Sequence, residues 1–347
     1  MGKKDLIGMT LPELQQEILA LGLPKFRAGQ IFQWIHQKHA TSFAEMTNLS
    51  KDLRAKLENS FTLYTCEIVE RYVSAVDDTR KYVFRMTDGE LIESVVMKYK
   101  YGYSVCISSQ VGCDMKCRFC ASTIDGCVRS LRASEMLSQV YQASRDIGER
   151  ISHVVLMGMG EPLINYDNMI RFLTLITDES GENLSARHIS VSTCGIVPRI
   201  YDLIETHPQF TLSVSLHAPN DEIRRTIMPV DRKWNIDELL EACRCYTEAT
   251  SRRISFEYAM MSGINDSDEC ARELAQRLQG MLCHVNLIPA NEVRENDYVR
   301  SSDARLRAFC TILGQSGINA TVRRTLGPDI EASCGQLRRK HTKGEEA

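Results

Sequence analysis

The stretch Cys113-Asp114-Met115-Lys116-Cys117-Arg118-Phe119-Cys120 holds three cysteines in the spacing C-x₃-C-x₂-C. A 4Fe–4S cluster normally takes four cysteine ligands, so three thiols leave one iron open to a small molecule. An open iron suits chemistry better than electron storage. A partial zinc site or buried thiols are the alternatives, but structural zinc sites use four protein ligands, and no C-x₂-C partner pair lies elsewhere. We therefore interpret Cys113, Cys117 and Cys120 as ligands of a reactive cluster.

Composition places the chain among ordinary globular proteins. It has 347 residues, of which 43% are hydrophobic and 25% charged, enough for one large domain and a smaller one. Its thirteen cysteines and the absence of an export signal at the start predict free thiols in a reducing cytoplasm. No segment reaches the ~18 apolar residues of a membrane span, so we expect no membrane association.

Basic residues form two local groups in a chain whose net charge is −3. That net charge argues against a general nucleic-acid coat, although a local patch could still contact phosphates. Whether these groups bind phosphate or only face solvent depends on their distance from the three-cysteine loop. The groups are Arg224, Arg225, Arg232 and Lys233, and Arg323, Arg324, Arg338, Arg339, Lys340 and Lys343.

The first hundred residues change from a helical to a strand pattern. Thr10 and Glu13 have the spacing of a capping box, and apolar residues follow at helical intervals. Asp88-Gly89 is typical of a tight turn between two strands. We predict helices from Thr10, over Phe26–His39 and from Leu53, and strands at Thr65–Ser74, Lys81–Met86 and Leu91–Met97.

From residue 104 onward strands and helices alternate, which predicts an α/β fold with a parallel sheet. Six such units fit a partial (β/α)₆ barrel, in which ligands collect at the C-terminal ends of the strands. We divide the chain into a helical accessory domain (1–60), a β-hairpin extension or linker (61–103), the barrel (104–325) and a C-terminal cysteine loop with a basic tail (326–347). The predicted barrel strands are Val105–Ser108, His153–Met159, His188–Thr193, Phe210–His217, Ile254–Met260 and His284–Pro289.

Several barrel strands carry a row of polar residues. In the strand Phe210–His217, polar residues alternate with apolar ones, and period-two geometry places the polar ones on one face. Helices should cover the outside of a parallel sheet, so the polar face is expected to line a cavity. Glu161, in Gly160-Glu161-Pro162 after another strand, could bind an ammonium group there. The polar positions are Thr211, Ser213, Ser215 and His217, with Ser190, Ser192 and Cys194 on the preceding strand.

Five motifs, in order, resemble one family from about residue 8 to residue 340. They are Cys106-Ile107-Ser108-Ser109-Gln110-Val111-Gly112-Cys113, Cys117-Arg118-Phe119-Cys120, Met157-Gly158-Met159-Gly160-Glu161-Pro162, Ser215-Leu216-His217-Ala218 and Ala332-Ser333-Cys334-Gly335-Gln336-Leu337. The chain is similar to the RlmN family of adenosine-C2 RNA methyltransferases, a radical S-adenosylmethionine family whose sister is Cfr.

This resemblance implies a radical methylation of an adenine ring carbon. In the family, exchangeable S-adenosylmethionine fills the open iron site, and two molecules are consumed per methylation. Cys334 would take a methyl group from the first. Cleavage of the second would yield a radical that activates the S-methyl group, so that its carbon adds to C2. Cys106 would then release the product by forming a disulfide with Cys334, which a thiol reductant must reduce.

The resemblance also implies the remaining site residues and partners. Glu93 falls where the family has its proposed proton acceptor. The expected substrates are 23S rRNA, at one adenosine near the peptidyl-transferase centre, and the adenosine 3′ of the anticodon in some tRNAs. An external one-electron donor such as flavodoxin and a monomeric enzyme are also expected. Residues that would contact S-adenosylmethionine are Gly160, Glu161, Ser192, Ser215, Leu216, His217 and Asn291.

Three other functions remain open at this point. Methylation at C8, the sister activity, uses the same cluster and thiols, and no residue in the sequence excludes it. A non-methylating radical enzyme that activates a partner protein would leave Cys106 and Cys334 without a role. A non-enzymatic iron–sulfur scaffold would have no reason to leave one iron without a protein ligand.

Overall fold

In the computed structural model, which describes residues 2–206, 209–291, 293 and 296–338, one ten-stranded sheet forms the centre of the molecule. Arg339, Lys340 and Lys343 of the second basic group lie outside these residues. Within them the strands are β1 (Lys4–Asp5), β2 (Phe61–Thr62), β3 (Glu67–Val73), β4 (Arg80–Arg85), β5 (Leu91–Tyr99), β6 (Gly102–Cys106), β7 (Gln110–Gly112), β8 (Cys127–Ser130), β9 (Ile151–Leu156), β10 (Ile189–Thr193), β11 (Thr211–Ser215), β12 (Ile254–Met260), β13 (Cys283–Pro289) and β14 (Ala320–Val322).

Helices cover this sheet and build the N-terminal part of the chain. They are α1 (Leu11–Ala20), α2 (Phe26–His36), α3 (Lys51–Ser60), α4 (Ala133–Ile147), α5 (Tyr166–Ile176), α6 (Val197–Thr206), α7 (Asp221–Ile227), α8 (Ile236–Thr250), α9 (Asp268–Leu278) and α10 (Asp303–Gln315). In the part of the chain that the structure describes, none is long and apolar enough to cross a bilayer.

Six parallel strands with intervening helices form the predicted partial barrel. The order β13-β12-β11-β10-β9-β6 is parallel throughout, and one or two helices separate each strand from the next along the chain. The alternation of apolar residues along the strands explains this arrangement, because every second side chain packs under the helices. The fold class is thus confirmed. A seventh short parallel strand, β14, which the sequence pattern did not reveal, adds to the edge beside β13.

The β-extension continues the barrel sheet. Strands β3, β4 and β5 are antiparallel, and β5 pairs antiparallel with β6 at the edge of the barrel. Gly89 makes the predicted turn with a φ of 89° and donates its N–H to the Met86 carbonyl at 3.0 Å. The extension is therefore rigidly attached to the first barrel strand, which carries Cys106.

The helical module docks on the barrel through its own N-cap. Thr10 caps α1, as predicted, and its N–H donates to Glu13 Oε2 at 2.8 Å. The same carboxylate pairs with Arg171 of α5, and Arg171 Nε also donates to the Gly8 carbonyl at 2.6 Å. The predicted second helix ends earlier than expected, at His36 rather than His39. The apolar faces of these helices belong to the same buried core as the barrel helices.

His36 at this junction makes the stability of the protein depend on pH. The ring is fully buried, 2.7 Å from the Tyr141 hydroxyl, and burial, followed by His39, lowers its pKa to about 3. An unfolded histidine titrates near ~6.5. Between those two values the unfolded chain binds a proton that the folded chain excludes. The free energy of unfolding therefore falls as the pH drops below about 6.5, by up to ~1.4 kcal/mol per pH unit.

We expect the variant His36→Asn to lose this dependence. Urea unfolding at pH 7, 6 and 5 should show a slope, in free energy against pH, that is shallower than wild type by about one proton. Substitution of the neighbouring exposed Gln37, which carries no titratable group, provides the control, since it should leave the slope unchanged. Equal slopes for His36→Asn and wild type would contradict the pKa assignment.

The C-terminal segment, residues 326–338, connects the two ends of the barrel sheet. On one side Arg323, just before it, donates its N–H to the Leu287 carbonyl of β13 at 2.8 Å. On the other side the Gly327 N–H donates to Asp77 Oδ2 at 2.9 Å, and Ser74 Oγ donates to Asp329 Oδ1 at 2.6 Å. The segment thus lies across the open side of the partial barrel, with Cys334 within it.

Candidate functional site

One large cavity lies at the C-terminal ends of the parallel strands. It encloses about 1030 Å³, part of it open to solvent, which is ample for a nucleoside-sized cofactor. Ten of the predicted site residues line this cavity, and they come from five loops and two strands. These are Cys113, Cys117, Cys120, Gly160, Glu161, Ser192, Ser215, His217, Asn291 and Cys334.

The three-cysteine loop is held in place by backbone contacts. Gly112 has a φ of 77°, and a Cβ there would lie 1.8 Å from the Gly126 carbonyl oxygen, so only glycine fits. The Cys113 N–H donates to that carbonyl at 3.1 Å. The Thr123 hydroxyl donates to the carbonyls of both Cys117 and Cys120. The loop therefore presents three thiols to the cavity in a fixed arrangement.

The donor set fits an iron–sulfur cluster better than a single zinc ion. Among the described residues, no three His, Cys, Asp or Glu side chains converge as ligands of one metal ion. A four-iron cube separates its thiolate ligands more widely than a tetrahedral zinc site does. Burial raises the pKa of all three thiols, so cluster binding must displace their protons.

Glu161 offers a buried carboxylate beside the three-cysteine loop, residues 113–120, which is called the cluster loop from here on. Its oxygens accept the N–H groups of Cys194 at 2.7 Å and Leu163 at 2.9 Å, and its side chain lies on the cavity wall. Burial raises its pKa, and the two backbone hydrogen bonds oppose that shift. A cationic ligand would stabilise the ionised Glu161 carboxylate in place of the water that burial has removed. Gly160 beside it has a φ of 98° and packs against Gln110, so a side chain would not fit.

His217 presents a hydrogen-bond donor to the cavity. The Ala259 N–H donates to Nδ1 at 2.8 Å, which requires that nitrogen to be unprotonated. Burial, and then Arg224, lower the pKa of the ring to about 3. The ring is therefore neutral with its proton on Nε2. His217 also has a φ of 57°, a strained conformation typical of functional positions.

Leu216 is the one predicted cofactor contact that does not line the cavity. Its side chain is buried, its N–H donates to the Glu257 carbonyl, and its own carbonyl accepts Arg224 Nε at 3.1 Å. Glu93 likewise lies outside the cavity wall. Its Oε2 accepts the Arg338 N–H at 2.9 Å, and Lys81 Nζ lies 3.7 Å from Oε1. Glu93 thus contacts the C-terminal segment, and its role as proton acceptor stays a prediction.

Arg224, grouped with a basic patch in the sequence, is instead a structural residue beneath the site. It is fully buried, pairs with Asp231 at 3.2 Å, and donates to the carbonyls of Cys194 and Ser215 at 2.7 and 3.2 Å. It cannot contact phosphate. Because it lies on the inner face of α7, it links the loops that follow β10 and β11.

Loss of Arg224 should destabilise the protein strongly. We expect Arg224→Ala to lower the free energy of unfolding by about 3–5 kcal/mol, because three carbonyls would lose their donor and Asp231 would be left with the half-exposed Arg225 as its partner. Chemical denaturation measures the change. The matched control is Arg199→Ala, whose ion pair with Asp202 is exposed and should contribute less than ~1 kcal/mol. A loss below 1 kcal/mol for Arg224→Ala would contradict the buried-pair assignment.

Cys334 is held against the cluster loop by backbone hydrogen bonds. The Ala121 N–H donates to the carbonyl of the next residue, Gly335, at 2.7 Å. Asn291 Nδ2 donates to the Cys334 carbonyl at 2.9 Å, and Ser122 Oγ donates to the Leu337 carbonyl at 2.6 Å. Sequence spacing of more than 200 residues gave no sign of this contact. Cys334 therefore shares one cavity with the three candidate cluster ligands.

Arg323 and Glu257 complete the site, and the sequence analysis missed Glu257. Arg323 Nη1 lies 4.0 Å from Glu257 Oε2. Cys334, and to a smaller extent Cys106, raise the pKa of Arg323. Burial raises the pKa of Cys106 to about 12, and Arg323 opposes that shift. The alternation of Ser255 and Glu257 along β12 was a signal that could have identified the carboxylate. Both cysteines are free thiols here.

Two family models match the chain. The Radical SAM superfamily model matches residues 107–275, and the model of the ribosomal RNA large subunit methyltransferase N-terminal domain matches residues 4–63.

Relatives cover nearly all of the sequence. A protein of Lachnospira eligens named "Probable dual-specificity RNA methyltransferase RlmN" is 52% identical over 337 residues, covering 97% of this chain and 96% of that protein. A protein of Clostridium novyi with the same name is 51% identical and covers 97% and 98%. The crystal structure of a radical SAM methyltransferase from Sphaerobacter thermophilus superimposes with a TM-score of 0.93 at 44% identity, covering 96% and 99% of the two chains.

Proposed function

Since the chain belongs to the RlmN family of radical SAM RNA methyltransferases, we propose that it methylates C2 of adenosine in 23S rRNA and in some tRNAs through an S-methyl intermediate on Cys334. The observation that carries this proposal is the position of Cys334, which lies on the wall of the same cavity as Cys113, Cys117 and Cys120. A methyl group on that sulfur would lie beside the cluster.

The residues of the cavity fit the cofactors that the family requires. Cys113, Cys117 and Cys120 would hold three irons of a 4Fe–4S cluster, leaving the fourth for S-adenosylmethionine. When bound, these groups supply the methyl groups and the one-electron chemistry, and two S-adenosylmethionine molecules are consumed for each methylation. The buried Glu161 carboxylate would bind the cofactor's ammonium group, which offers the cation that this carboxylate lacks.

Other side chains would orient the cofactor and exclude water. Ser192 and Ser215 line the cavity with hydroxyl groups, and His217 offers a neutral Nε2–H donor. Leu216 would contribute only through its backbone. Asn291 would serve two purposes, since its Nδ2 donates to the Cys334 carbonyl and the residue itself lines the cavity.

Cys106 would release the product. After carbon transfer from Cys334, the base would remain covalently attached to the enzyme. The Cys106 thiolate would attack the Cys334 sulfur and form a disulfide, and the sulfur–carbon bond would break with its electron pair on the product carbon, which takes up a proton to become the methyl group. Arg323, which both thiols influence, would stabilise negative charge on sulfur during that step.

The site of methylation on the base decides between this function and the sister activity. Anaerobic reconstitution with iron and sulfide, followed by S-adenosylmethionine, reductant and protein-free 23S rRNA, should yield 2-methyladenosine after digestion to nucleosides. Parallel reactions with tRNA test the second substrate. The relatives named RlmN favour C2. Recovery of 8-methyladenosine would replace the proposed regiochemistry, and no methyladenosine from an intact cluster would contradict the function.

The remaining assignments complete the proposal. The target base must leave its stack to enter the cavity, so the helical module (1–60) and the basic C-terminal segment would hold the surrounding RNA. An external one-electron donor such as flavodoxin, and a thiol reductant for the disulfide, would support turnover. We propose a cytoplasmic monomer, with a barrel at 104–325 that the β-extension (61–103) and the cysteine loop (326–347) border.

A further inference from the structure

A second, smaller pocket adjoins the cluster cavity and reaches the same sulfur. It comprises about 380 Å³ of space, part of it open to solvent, and shares Ile288, Asn291, Arg323 and Cys334 with the larger cavity. Its other walls are different, because they come from β5, from the end of β13 and from residues 324–333. These residues are Met97, Tyr99, Pro289, Arg324, Thr325, Leu326, Ala332 and Ser333. A molecule in this pocket would approach Cys334 without occupying the cofactor position.

The charge of this pocket is positive. Arg323 and Arg324 line it, and none of the lining residues that the structure describes is a carboxylate. Arg323 also forms an ion pair with Glu257, which lines the larger cavity; Arg323 Nη1 lies 4.0 Å from Glu257 Oε2. Arg324 is exposed, and among the described residues it forms no ion pair, so its charge is available at the rim. An anion of small size is the ligand that this arrangement would attract.

The two thiols differ in accessibility in a way that fixes the direction of attack. Cys106 is only 7% exposed, whereas Cys334 is half-buried and borders both the cavity and the pocket. In a disulfide between them, an external thiol could therefore reach only the Cys334 sulfur. The leaving thiolate would be Cys106, whose charge Arg323 favours.

We infer that this pocket is the docking site for a small thiol reductant that carries a negative charge, such as a carboxylate- or sulfonate-bearing thiol. The inference rests on the proposed function, since it assigns the step that regenerates the free thiols. The reductant's thiolate attacks Cys334, and the Cys106–Cys334 bond breaks with its electron pair leaving on Cys106. A second thiol then releases Cys334. Two thiols are oxidised to one disulfide, and their two protons pass to the two cysteines.

The experiment compares two thiols that differ in charge. The full-length reconstituted enzyme is oxidised anaerobically with diamide, with iron content measured before and after. Reduction by 2-mercaptoethanesulfonate, which is anionic, and by 2-mercaptoethanol, which is neutral, is then followed by maleimide quenching and mass spectrometry of the Cys334 peptide. Wild type is compared with Arg324→Gln and with the charge-conserving Arg324→Lys. The intrinsic nucleophilicity of each thiol is the same toward all three proteins. A difference between the proteins in the ratio of the anionic-thiol rate to the neutral-thiol rate therefore reports the effect of the charge at position 324.

We expect Arg324→Gln to lower the anionic-to-neutral rate ratio about threefold, the effect of one charge ~6 Å away in water. Arg324→Lys should retain the wild-type ratio, and high salt should bring wild type down toward the glutamine variant. An unchanged ratio in Arg324→Gln would overturn the inference while leaving the proposed function intact. If the unchanged ratio were accompanied by weakened RNA binding, the pocket would instead be assigned to an RNA phosphate. Failure of the two cysteines to form a disulfide would overturn the proposed release step itself.

Discussion

Replacing Cys334 with alanine should abolish methyl transfer to RNA while leaving the cluster bound. We expect product to fall below detection, a loss of at least ~10³-fold, because removing a covalent nucleophile removes the intermediate itself. Iron content should stay at the wild-type level, since the C-terminal loop contacts the cluster loop through backbone atoms that alanine retains. Nucleoside analysis of treated 23S rRNA, together with iron quantitation, measures both effects.

The matched control for this prediction is Cys310→Ala. Cys310 is a half-buried thiol on α10 that does not line the cavity, so its loss should leave methylation near the wild-type rate. Methylation that persists in Cys334→Ala would exclude the S-methyl intermediate at this residue. Cys106→Ala provides a third comparison. It should trap protein attached to RNA, visible as a slowly migrating species that ribonuclease converts to free protein.

Replacing Cys117 with alanine should remove the cluster and every activity that depends on it. This thiol is 8% exposed and lies at the centre of the three-cysteine loop, whereas Cys194 and Cys334, the other cysteines on the cavity wall, belong to separate loops. Two thiolates hold an iron–sulfur cluster poorly. We therefore expect reconstituted iron to fall to a small fraction of wild type, with loss of both cofactor cleavage and RNA methylation.

Cys245→Ala separates this effect from a general loss of thiols. Cys245 is half-exposed on α8, and its Sγ lies 3.8 Å from Glu241 on the same helix. Its substitution should leave iron content, the absorption spectrum and methylation unchanged. Circular dichroism of Cys117→Ala tests whether the chain is still folded. A folded variant with a full complement of iron would show that Cys117 is not a ligand.

Local patterns predicted a large part of the architecture. The strand over Ile254–Met260 was predicted with its observed ends, and Thr10 caps α1, as its spacing from Glu13 indicated. Other strands differed by a few residues at their ends, because end positions depend on pairing with neighbours rather than on the strand's own residues. Strand β14 was missed since its three residues carry too little periodicity to recognise.

The functional site was predicted unevenly for the same reason. Cys113, Cys117 and Cys120 could be identified as candidate ligands because the spacing of cysteines within one short loop is a local property. The polar row on β11 correctly placed Ser215 and His217 on the cavity wall, while Thr211 and Ser213 are not among its lining residues. Arg224 was misinterpreted, since its charge in the sequence says nothing about which face of α7 it occupies. Its burial depends on carbonyl groups contributed by the loops after β10 and β11.

The sequence by itself determined the alternation of strands and helices, the three-thiol loop and the polar face of the barrel, because each of these depends on residues close together in the chain. Only the tertiary structure placed Cys334 beside the cluster loop, Arg323 between the two free thiols and Glu257, and Glu93 on the C-terminal segment. These contacts join residues separated by up to about 250 positions. They form because the C-terminal segment crosses the open side of the barrel, where its backbone groups find partners on both edges of the sheet.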